Sequence, residues 1–314
     1  MFEGVFYSKF FLKHPNEKQG LYCFNQFFQR LSLLLLVILY LSSKTINMAK
    51  IKKTKSTFSF GWLPDLPDHR DLMYSASMFI MRKLPVKTDL RMNCPEVYDQ
   101  GALGSCTANA LGAAFQFGQK KQSIPSFVPS RLFIYYNERV LINSVLSDSG
   151  AFIRDGIKTM NTKGVCNEND WPYIIQQFTT KPPTTLYKKA KTNQVLSYLR
   201  LNNANLNQLQ SCLSEGFPFV FGFTVFESFQ SISKNGIMPM PIPQEKRLGG
   251  HAVMAVGYND ANKMFIVRNS WSKNWGDQGY FYMPYSYITD TNRADDFWTI
   301  RLVEKGLAVR KKKG

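Results

Sequence analysis

The spacing of hydrophobic residues changes along the chain. After residue 84, apolar residues first recur at helical spacing, and this pattern predicts helices at 106–119, 129–144 and 153–163. Further on, short apolar or alternating runs predict strands at 217–225, 252–258, 264–269, 279–284 and 296–304. The polar stretch 181–201, with Pro182 and Pro183, is interpreted as the connection into the second half. The predicted fold class is therefore α+β, with a helical lobe followed by a β-rich lobe.

The segment before these elements is predicted to be extended. Residues 48–83 begin with a basic stretch and continue as F-G-W-L-P-D-L-P-D-H-R-D-L, in which prolines and aspartates disfavour a helix. One interpretation is a short pro-segment that lies over the domain or its cleft, and the other is a permanent arm packed against the domain. Trp62, Leu63 and Leu66 are suited to burial and no processing site is evident, which favours the packed arm.

Residues 1–47 contain a hydrophobic run that begins at Leu31 and ends at Leu41. Its length suits the apolar part of a signal peptide and is short for a membrane-spanning helix. A signal or anchor predicts a secreted or membrane-associated protein. An extension upstream of a true start at Met48 predicts a soluble intracellular one, and a location in a virus particle is a further alternative.

Composition agrees with a folded enzyme and limits the partners. The chain has 314 residues, 44% of them hydrophobic, and a net charge of +17. Lysine and arginine cluster at 50–55, 188–191 and in the basic tail 308–314, but no nucleic-acid-binding motif accompanies them. We therefore expect solvated tails and loops and no specific nucleic-acid partner.

The cysteine content gives a poor disulfide framework. Five cysteines are present, of which Cys23 precedes the predicted domain and Cys106 is the candidate nucleophile. The remaining Cys94, Cys166 and Cys212 allow at most one pair, and we expect structural thiols.

Cys106 is the first candidate for chemistry. It follows Gly-Ser and opens the first predicted helix, where unpaired backbone N–H groups and the helix dipole stabilise a thiolate. Small residues before it, including Ser105, let a substrate approach the turn. Gln100 lies six residues upstream and can donate to a developing oxyanion.

A histidine and an asparagine far downstream complete the set. His251 begins one predicted strand and Asn269 follows the next, and a hairpin around 259–263 brings the two close together. His251 can accept the thiol proton and return it to a leaving amine, while Asn269 orients the imidazole.

These residues carry a resemblance to the papain-like cysteine peptidases, the papain and cathepsin family. The matching blocks are D-Q-G-A-L-G-S-C-T, G-G-H-A-V, N-S-W and W-G-D-Q-G-Y, with 145 positions between Cys106 and His251. The likeness covers about residues 84–307.

The resemblance implies a two-lobe fold with the site in the cleft between the lobes. It also implies a cysteine endopeptidase that acts through a Cys106 thioester without cofactor or metal, on protein or peptide substrates. Trp271 is expected to shield the Asn269–His251 hydrogen bond from water. Ser149 and Gly150, together with Gly250, are expected to bind the substrate.

Three departures from the family pattern leave the catalytic groups intact. Thr107 replaces the usual tryptophan after the nucleophile, as in the branch that reads G-S-C-T. Leu103 stands where many members have a disulfide cysteine, and Ser272 replaces the glycine of N-S-W-G.

Two alternatives to the peptidase stay open. One is a catalytically idle papain-like component of a particle or membrane complex, which the presence of all four polar residues disfavours. The other is an acyl transferase or ligase that uses the same thioester. The sequence does not define the oligomeric state.

Overall fold

The computed structural model describes residues 59–76, 83–232 and 235–305. All of them belong to one unit, Thr57–Gly314. The hydrophobic run at 31–41, Cys23 and the basic stretches 50–55 and 310–313 lie outside the described residues. Within the described part of the chain, no helix is long and apolar enough to cross a membrane.

The predicted helices are present, with small differences at their ends. Six α-helices are described: α1 Cys106–Lys121, α2 Arg131–Leu141, α3 Ile153–Thr162, α4 Thr184–Ala190, α5 Leu206–Ser214 and α6 Tyr285–Ile288. Helix α2 begins two residues later than predicted, because the Ser130 side chain accepts a hydrogen bond from the backbone N–H of Phe133 and caps the helix there.

The strands form a large sheet and a small one. They are β1 Trp62–Leu63, β2 Lys87–Asp89, β3 Ala151–Phe152, β4 Val195–Arg200, β5 Phe219–Phe226, β6 Arg247–Asn259, β7 Met264–Arg268, β8 Tyr280–Pro284 and β9 Ala294–Val303. Seven strands make one sheet in the order β4-β9-β5-β6-β7-β8, with β2 paired to β6. The predicted hairpin is β6–β7, in which Asn259 pairs with Met264.

The connection into the second half, residues 181–201, contains two regular elements that its polar pattern did not predict. This stretch contains helix α4 and strand β4, and β4 pairs antiparallel with β9 at the edge of the sheet. The partner strand lies about a hundred residues further along the chain, so local polarity gave no sign of it.

Helix α1 is the centre of the fold. It is buried along nearly its whole length, and its side chains join the core of the helical lobe to the sheet. A second core fills the space on the other side of the sheet. The described cysteines, Cys94, Cys106, Cys166 and Cys212, are free and buried, as expected for structural thiols at the three positions outside the site. Packing of α1 against β6 brings the first turn of the helix to the strand that carries His251.

The N-terminal arm, residues 59–76 in the structure, is extended as predicted. Its strand β1 pairs in parallel with β3, so that Trp62 lies opposite Ala151 and Leu63 opposite Phe152. The arm therefore enters the fold between the helical lobe and the sheet.

Candidate active site

Cys106 is the first residue of helix α1 and is fully buried. The turn before it is held in place by side chains, because Asn109 Nδ2 donates to the carbonyl and the hydroxyl of Ser105 at 2.9 and 3.0 Å. The Ser105 hydroxyl also lies 2.6 Å from the Tyr173 hydroxyl. The nucleophile candidate therefore stands on a fixed turn at a helix N-terminus, where backbone N–H groups point outward.

His251 and Asn269 meet as the predicted hairpin requires. His251 Nε2 lies 2.8 Å from Asn269 Oδ1, and this oxygen also accepts the backbone N–H of Ser270 at 2.8 Å. The Trp271 ring stacks on the imidazole with 4.8 Å between centroids and an angle of 28°. The indole therefore covers the His251–Asn269 pair, which is the arrangement expected for Trp271.

The amide of Gln100 has a defined orientation. Its Oε1 accepts the Ser270 hydroxyl at 2.6 Å, and its Nε2 donates to the carbonyls of Leu103 at 3.0 Å and Ser59 at 3.1 Å. Carbonyls only accept, so the nitrogen must face them. Gln100 therefore already donates to a peptide carbonyl that lies in the cleft.

In the described structure the Cys106 thiol and the His251 imidazole are both uncharged. Burial raises the pKa of the Cys106 thiol to about 12, against a smaller opposite effect of the Ala252, Gly61 and Thr107 backbone amides. Burial also lowers the pKa of His251 to about 4, against the Asn269 hydrogen bond. His251 Nδ1 has no hydrogen-bond partner among the described residues. Thiol and imidazole are thus desolvated, and neither is charged near neutral pH.

The N-terminal arm causes this desolvation because it lies in the cleft. The backbone N–H of Ala151 donates to the Gly61 carbonyl at 2.7 Å. A Cβ added at Gly61 would lie 1.7 Å from the Gly104 carbonyl oxygen, and one at Gly150 would lie 2.2 Å from the Gly61 oxygen. Only glycine allows the arm and the cleft walls to approach this closely.

Two aromatic residues of the arm flank Gly61. The ring of Phe60 lies edge-on to His251 and Trp271, at 6.1 Å from each centroid. Trp62 is buried on the other side of Gly61, where its Nε1 donates to Asp296 Oδ2 at 2.9 Å. The arm therefore covers both sides of the candidate nucleophile.

The three residues expected to bind substrate differ in their contacts with the arm. Gly150 N donates to the Tyr135 hydroxyl at 3.1 Å, and the Ser149 hydroxyl contacts Ser144 at 2.7 Å. The amide that bonds to the arm belongs to the next residue, Ala151. Gly250 lies against the arm, since a Cβ there would be 2.5 Å from the Trp62 carbonyl oxygen.

Two of the three departures from the family pattern have consequences here. Thr107 donates from its hydroxyl to Glu138 Oε2 at 2.8 Å, and this fully buried carboxyl has no partner for Oε1 within the described residues. Burial raises the pKa of Glu138 to about 8. Ser272 has φ of 63°, in the left-handed region that favours glycine, so its turn carries backbone strain. Leu103 is simply buried.

Sequence reasoning missed Glu138 and Asp296. Glu138 interrupts a predicted helix face with a charge, which was a usable signal, whereas Asp296 gave none. A third signal was Gly222, a lone glycine in the aromatic strand F-V-F-G-F, because such a glycine marks a close approach. A Cβ at Gly222 would lie 1.9 Å from the Trp62 indole. Among the described residues no group of three or more His, Cys, Asp or Glu could hold a metal.

Comparison with known proteins agrees with this geometry. The model of the papain family cysteine proteases matches residues 84–295. An uncharacterized peptidase C1-like protein, L477, of Acanthamoeba polyphaga mimivirus is 43% identical over 271 residues, which are 78% of this chain and 87% of the relative. Cysteine proteinase 3 of Entamoeba histolytica is 26% identical over 204 residues, 64% of this chain and 63% of the relative.

Solved structures show the same likeness. Xylellain, a cysteine protease from Xylella fastidiosa, superposes with a TM-score of 0.74 and 43% identity, over 81% of this chain and 100% of that chain. Procathepsin B of Trypanosoma congolense, at 16% identity and a TM-score of 0.64 over 81% of this chain and 89% of that chain, shares the fold. The molecule is thus a papain-like α+β hydrolase, and the predicted fold class is confirmed. The chain belongs to the papain family of cysteine proteases, whose substrates are proteins or peptides.

Proposed function

We propose that this protein is a cysteine endopeptidase whose N-terminal arm inhibits it in the described conformation. The observation that carries the proposal is the Gln100 amide, which donates to the Ser59 carbonyl beside Cys106 and the His251–Asn269 pair. A peptide carbonyl of the arm thus occupies the place where the oxyanion of a substrate would accept a hydrogen bond from Gln100.

The residues support a two-step acyl transfer. In the first step the Cys106 thiol gives its proton to His251 Nδ1 and the sulfur attacks the scissile carbonyl carbon. Gln100 Nε2 and the N-terminal amides of α1 stabilise the oxyanion. When the C–N bond breaks, the imidazolium returns the proton to the leaving amine. Water then hydrolyses the Cys106 thioester with His251 as the base, and Asn269 orients the imidazole in both steps.

The direction of the arm supports inhibition rather than cleavage. The leaving amine must lie near His251, where Phe60 lies, and the acyl part of a substrate must lie on the side of Trp62. A substrate therefore runs from the Trp62 side to the Phe60 side, in N-to-C direction. The arm runs the opposite way, so its peptide bonds present their carbonyl and nitrogen in the wrong order for the attack.

The neutral site supports the same conclusion. With the arm bound, burial keeps Cys106 as a thiol and His251 as a neutral imidazole. Water and substrate can reach both groups only when the arm leaves the cleft. Of the two interpretations of the arm, its position therefore favours the pro-segment over a purely structural element.

Peptide hydrolysis by full-length variants tests the proposal. In a chain whose arm is displaced by Gly61→Ala, we expect Cys106→Ala to reduce kcat/KM by about four orders of magnitude or more, because the thiolate is the nucleophile. Cys94→Ala is the matched control, since that thiol is buried elsewhere and donates to the Leu90 carbonyl. Equal hydrolysis by the Cys106→Ala and Cys94→Ala proteins would overturn the proposal. A thiol-directed epoxide that fails to label Cys106 in the same background would support the idle alternative.

A further inference from the structure

A single tyrosine hydroxyl connects two parts of the candidate active site. Tyr173, in the connection between α3 and α4, donates from its hydroxyl to the main-chain carbonyl of Gln100 at 3.0 Å. The same oxygen lies 2.6 Å from the hydroxyl of Ser105, the residue before Cys106. A carbonyl can only accept, so the tyrosine proton points to Gln100 and the Ser105 hydroxyl must donate to Tyr173. The tyrosine thus contacts both the oxyanion donor and the turn before the nucleophile.

The Ser105 hydroxyl is oriented from inside helix α1. Asn109 Nδ2 donates to Ser105 Oγ at 3.0 Å, and Asn109 Oδ1 accepts from Arg131 Nη1 at 3.0 Å. A guanidinium only donates, so this contact fixes which way the amide faces. All donors therefore point one way along a hydrogen-bond chain that runs from Arg131 through Asn109 and Ser105 to Tyr173 and Gln100.

The cation at the start of this hydrogen-bond chain has a fixed position. Arg131 is buried and forms a two-point ion pair with Glu168, in which Nη2 lies 2.7 Å from Oε1 and Nε lies 2.9 Å from Oε2. Its guanidinium also stacks on the ring of Tyr173, 3.9 Å from the centroid. A bidentate pair is geometrically specific, so the place of the tyrosine ring is set from helix α2 as well.

Gln100 is held from two sides. Its backbone N–H donates to the Ser270 carbonyl at 2.9 Å, and its Oε1 accepts the Ser270 hydroxyl, which ties it to the chain after β7. The Tyr173 hydroxyl ties the same residue to the Ser105 turn at the start of α1. Without that hydroxyl the Ser270 contacts remain, but the link from Gln100 to the nucleophile turn through Tyr173 is lost.

The hydrogen-bond chain does not dominate the charge state of Cys106. The main influences on the pKa of this thiol are burial, backbone amides and the Glu138 carboxylate, none of which belongs to the chain. Removal of the Tyr173 hydroxyl should therefore change where the oxyanion donor lies and leave the reactivity of the sulfur as it is.

We propose that Tyr173 is a positioning residue, which through Ser105 and Gln100 fixes the distance between the oxyanion donor and the Cys106 nucleophile. The inference rests on the proposed peptidase function and adds a residue to its first step. A displacement of about 1 Å near a reacting centre can reduce a rate about 100-fold, so a lost link of this kind is measurable.

Two reactions of Cys106 separate positioning from a general loss of structure. Peptide hydrolysis develops an oxyanion. Alkylation by iodoacetamide forms an S–C bond as iodide leaves and the thiol proton is lost, and no charge develops on a carbonyl oxygen. Both are measured in the full chain with Gly61→Ala, which displaces the arm, and alkylation is followed at the Cys106 peptide by mass spectrometry.

The test variant is Tyr173→Phe, which removes only the hydroxyl. We expect kcat to fall about tenfold or more, while KM and the alkylation rate constant stay within about twofold of the parent values. Ser105→Ala removes the next hydroxyl of the hydrogen-bond chain. It should show the same split between the two reactions, and it serves as the second variant if Tyr173→Phe does not fold.

A control and a double variant complete the test. Tyr187→Phe is the matched control, because that hydroxyl also donates within the helical lobe, to Asn137 Oδ1 at 3.1 Å, and its removal should leave hydrolysis unchanged. When Gln100→Ala is already present, Tyr173→Phe should lower kcat by no more than about twofold, since the donor that it positions is absent.

The outcomes separate this inference from the proposed function. Equal hydrolysis by the Cys106→Ala and Cys94→Ala proteins would contradict the peptidase itself. Three results would contradict the positioning role and leave the peptidase in place: Cys106-dependent hydrolysis that Tyr173→Phe leaves unchanged, a parallel fall of hydrolysis and alkylation, or an undiminished effect of Tyr173→Phe in the Gln100→Ala background.

Discussion

The N-terminal arm contacts the protein through two segments with different chemistry. The cleft segment, residues 59–63, is bound through main-chain groups, glycine contacts and aromatic rings. The anchor segment, residues 64–73, is bound mainly through charges: Asp71 pairs with Arg154 at 2.6 Å and with Arg200 at 3.0 Å, and Arg154 also donates to the Leu66 carbonyl at 2.6 Å.

The difference indicates a division of roles. Contacts of the cleft segment exclude water from Cys106, and none of its side chains titrates near neutral pH. Contacts of the anchor segment involve buried carboxylates, so their strength depends on pH and on each partner being present. Inhibition and attachment should therefore respond to different mutations.

The largest effect is expected when the cleft segment is displaced and the anchor segment is left intact. In Gly61→Ala the new Cβ would lie 1.7 Å from the Gly104 carbonyl oxygen, a contact that rigid backbone cannot accommodate. We expect peptide hydrolysis by the full chain to rise about tenfold or more. Leu66→Ala is the control, because the Leu66 side chain is 76% exposed. If Gly61→Ala leaves activity unchanged, the cleft segment is not inhibitory.

Breaking the anchor segment should mainly affect stability. Asp71→Asn leaves Arg154 and Arg200 without their shared carboxylate, and loss of one partner from a buried ion network costs about 3 kcal/mol. We expect a lower free energy of unfolding in urea and a lower Tm. Arg70 provides the control, because its side chain is 76% exposed and Arg70→Ala should leave Tm nearly unchanged. Equal decreases in Tm in the two variants would contradict the prediction that the buried Asp71 ion pairs stabilise the fold more than an exposed charge does.

The pH dependence of inhibition should come from the anchor. Burial, together with the Asp296 charge, raises the pKa of Asp65 to about 7, and burial raises that of Asp296 to about 6. Arg154 opposes the shift at Asp65. At Asp296 the Asp65 N–H, the Trp62 indole and Arg200 oppose the shift, and Asp295 adds to it. Because burial in the closed arm is the main cause of the shift at Asp65, the closed arm binds a proton at Asp65 more tightly than the open arm. Its stability is fully present below about pH 4 and is lost as the pH rises through 6–7.

The measurement is the ratio of wild-type to Gly61→Ala activity from pH 5 to 8, which removes the pH dependence of the chemistry itself. We expect this ratio to rise with pH. Asp65→Asn should make the activity ratio nearly independent of pH. A ratio that falls as the pH rises would contradict the prediction that inhibition weakens with increasing pH.

The smallest effect on activity is expected at Glu138, which is buried beneath the cleft and belongs to neither segment. Its pKa is raised to about 8 by burial, so it stabilises the fold below about pH 4.5 and loses that contribution as the pH rises through 8. Glu138→Gln should therefore be more stable than wild type near pH 8 and similar to it near pH 4.5. Urea unfolding at the two values measures this. The same difference at both would mean that Glu138 does not titrate in this range.

The sequence predicted the parts of the molecule that depend on local pattern or on a complete motif. Periodic apolar residues gave α1, α3 and the β6–β7 hairpin, and the hairpin brings His251 to Asn269 as expected. Strand β4 was not predicted, because its stability comes from its pairing with β9. The contact between Trp62 and Asp296 was not predicted for the same reason, since the two residues are 234 positions apart and meet only in the tertiary structure.

The close approach of Trp62 to Gly222 also restricts which substitutions the gene can accept. Positions 62 and 222 are 160 residues apart, yet the ring of one occupies the space that any side chain at the other would need. A larger residue at 222 becomes tolerable only after position 62 has become smaller, and reversion then becomes costly in turn. The two codons are therefore expected to covary among descendants of this sequence. A change in the inhibitory arm at position 62 should be accompanied by a change at position 222 of the strand that it covers.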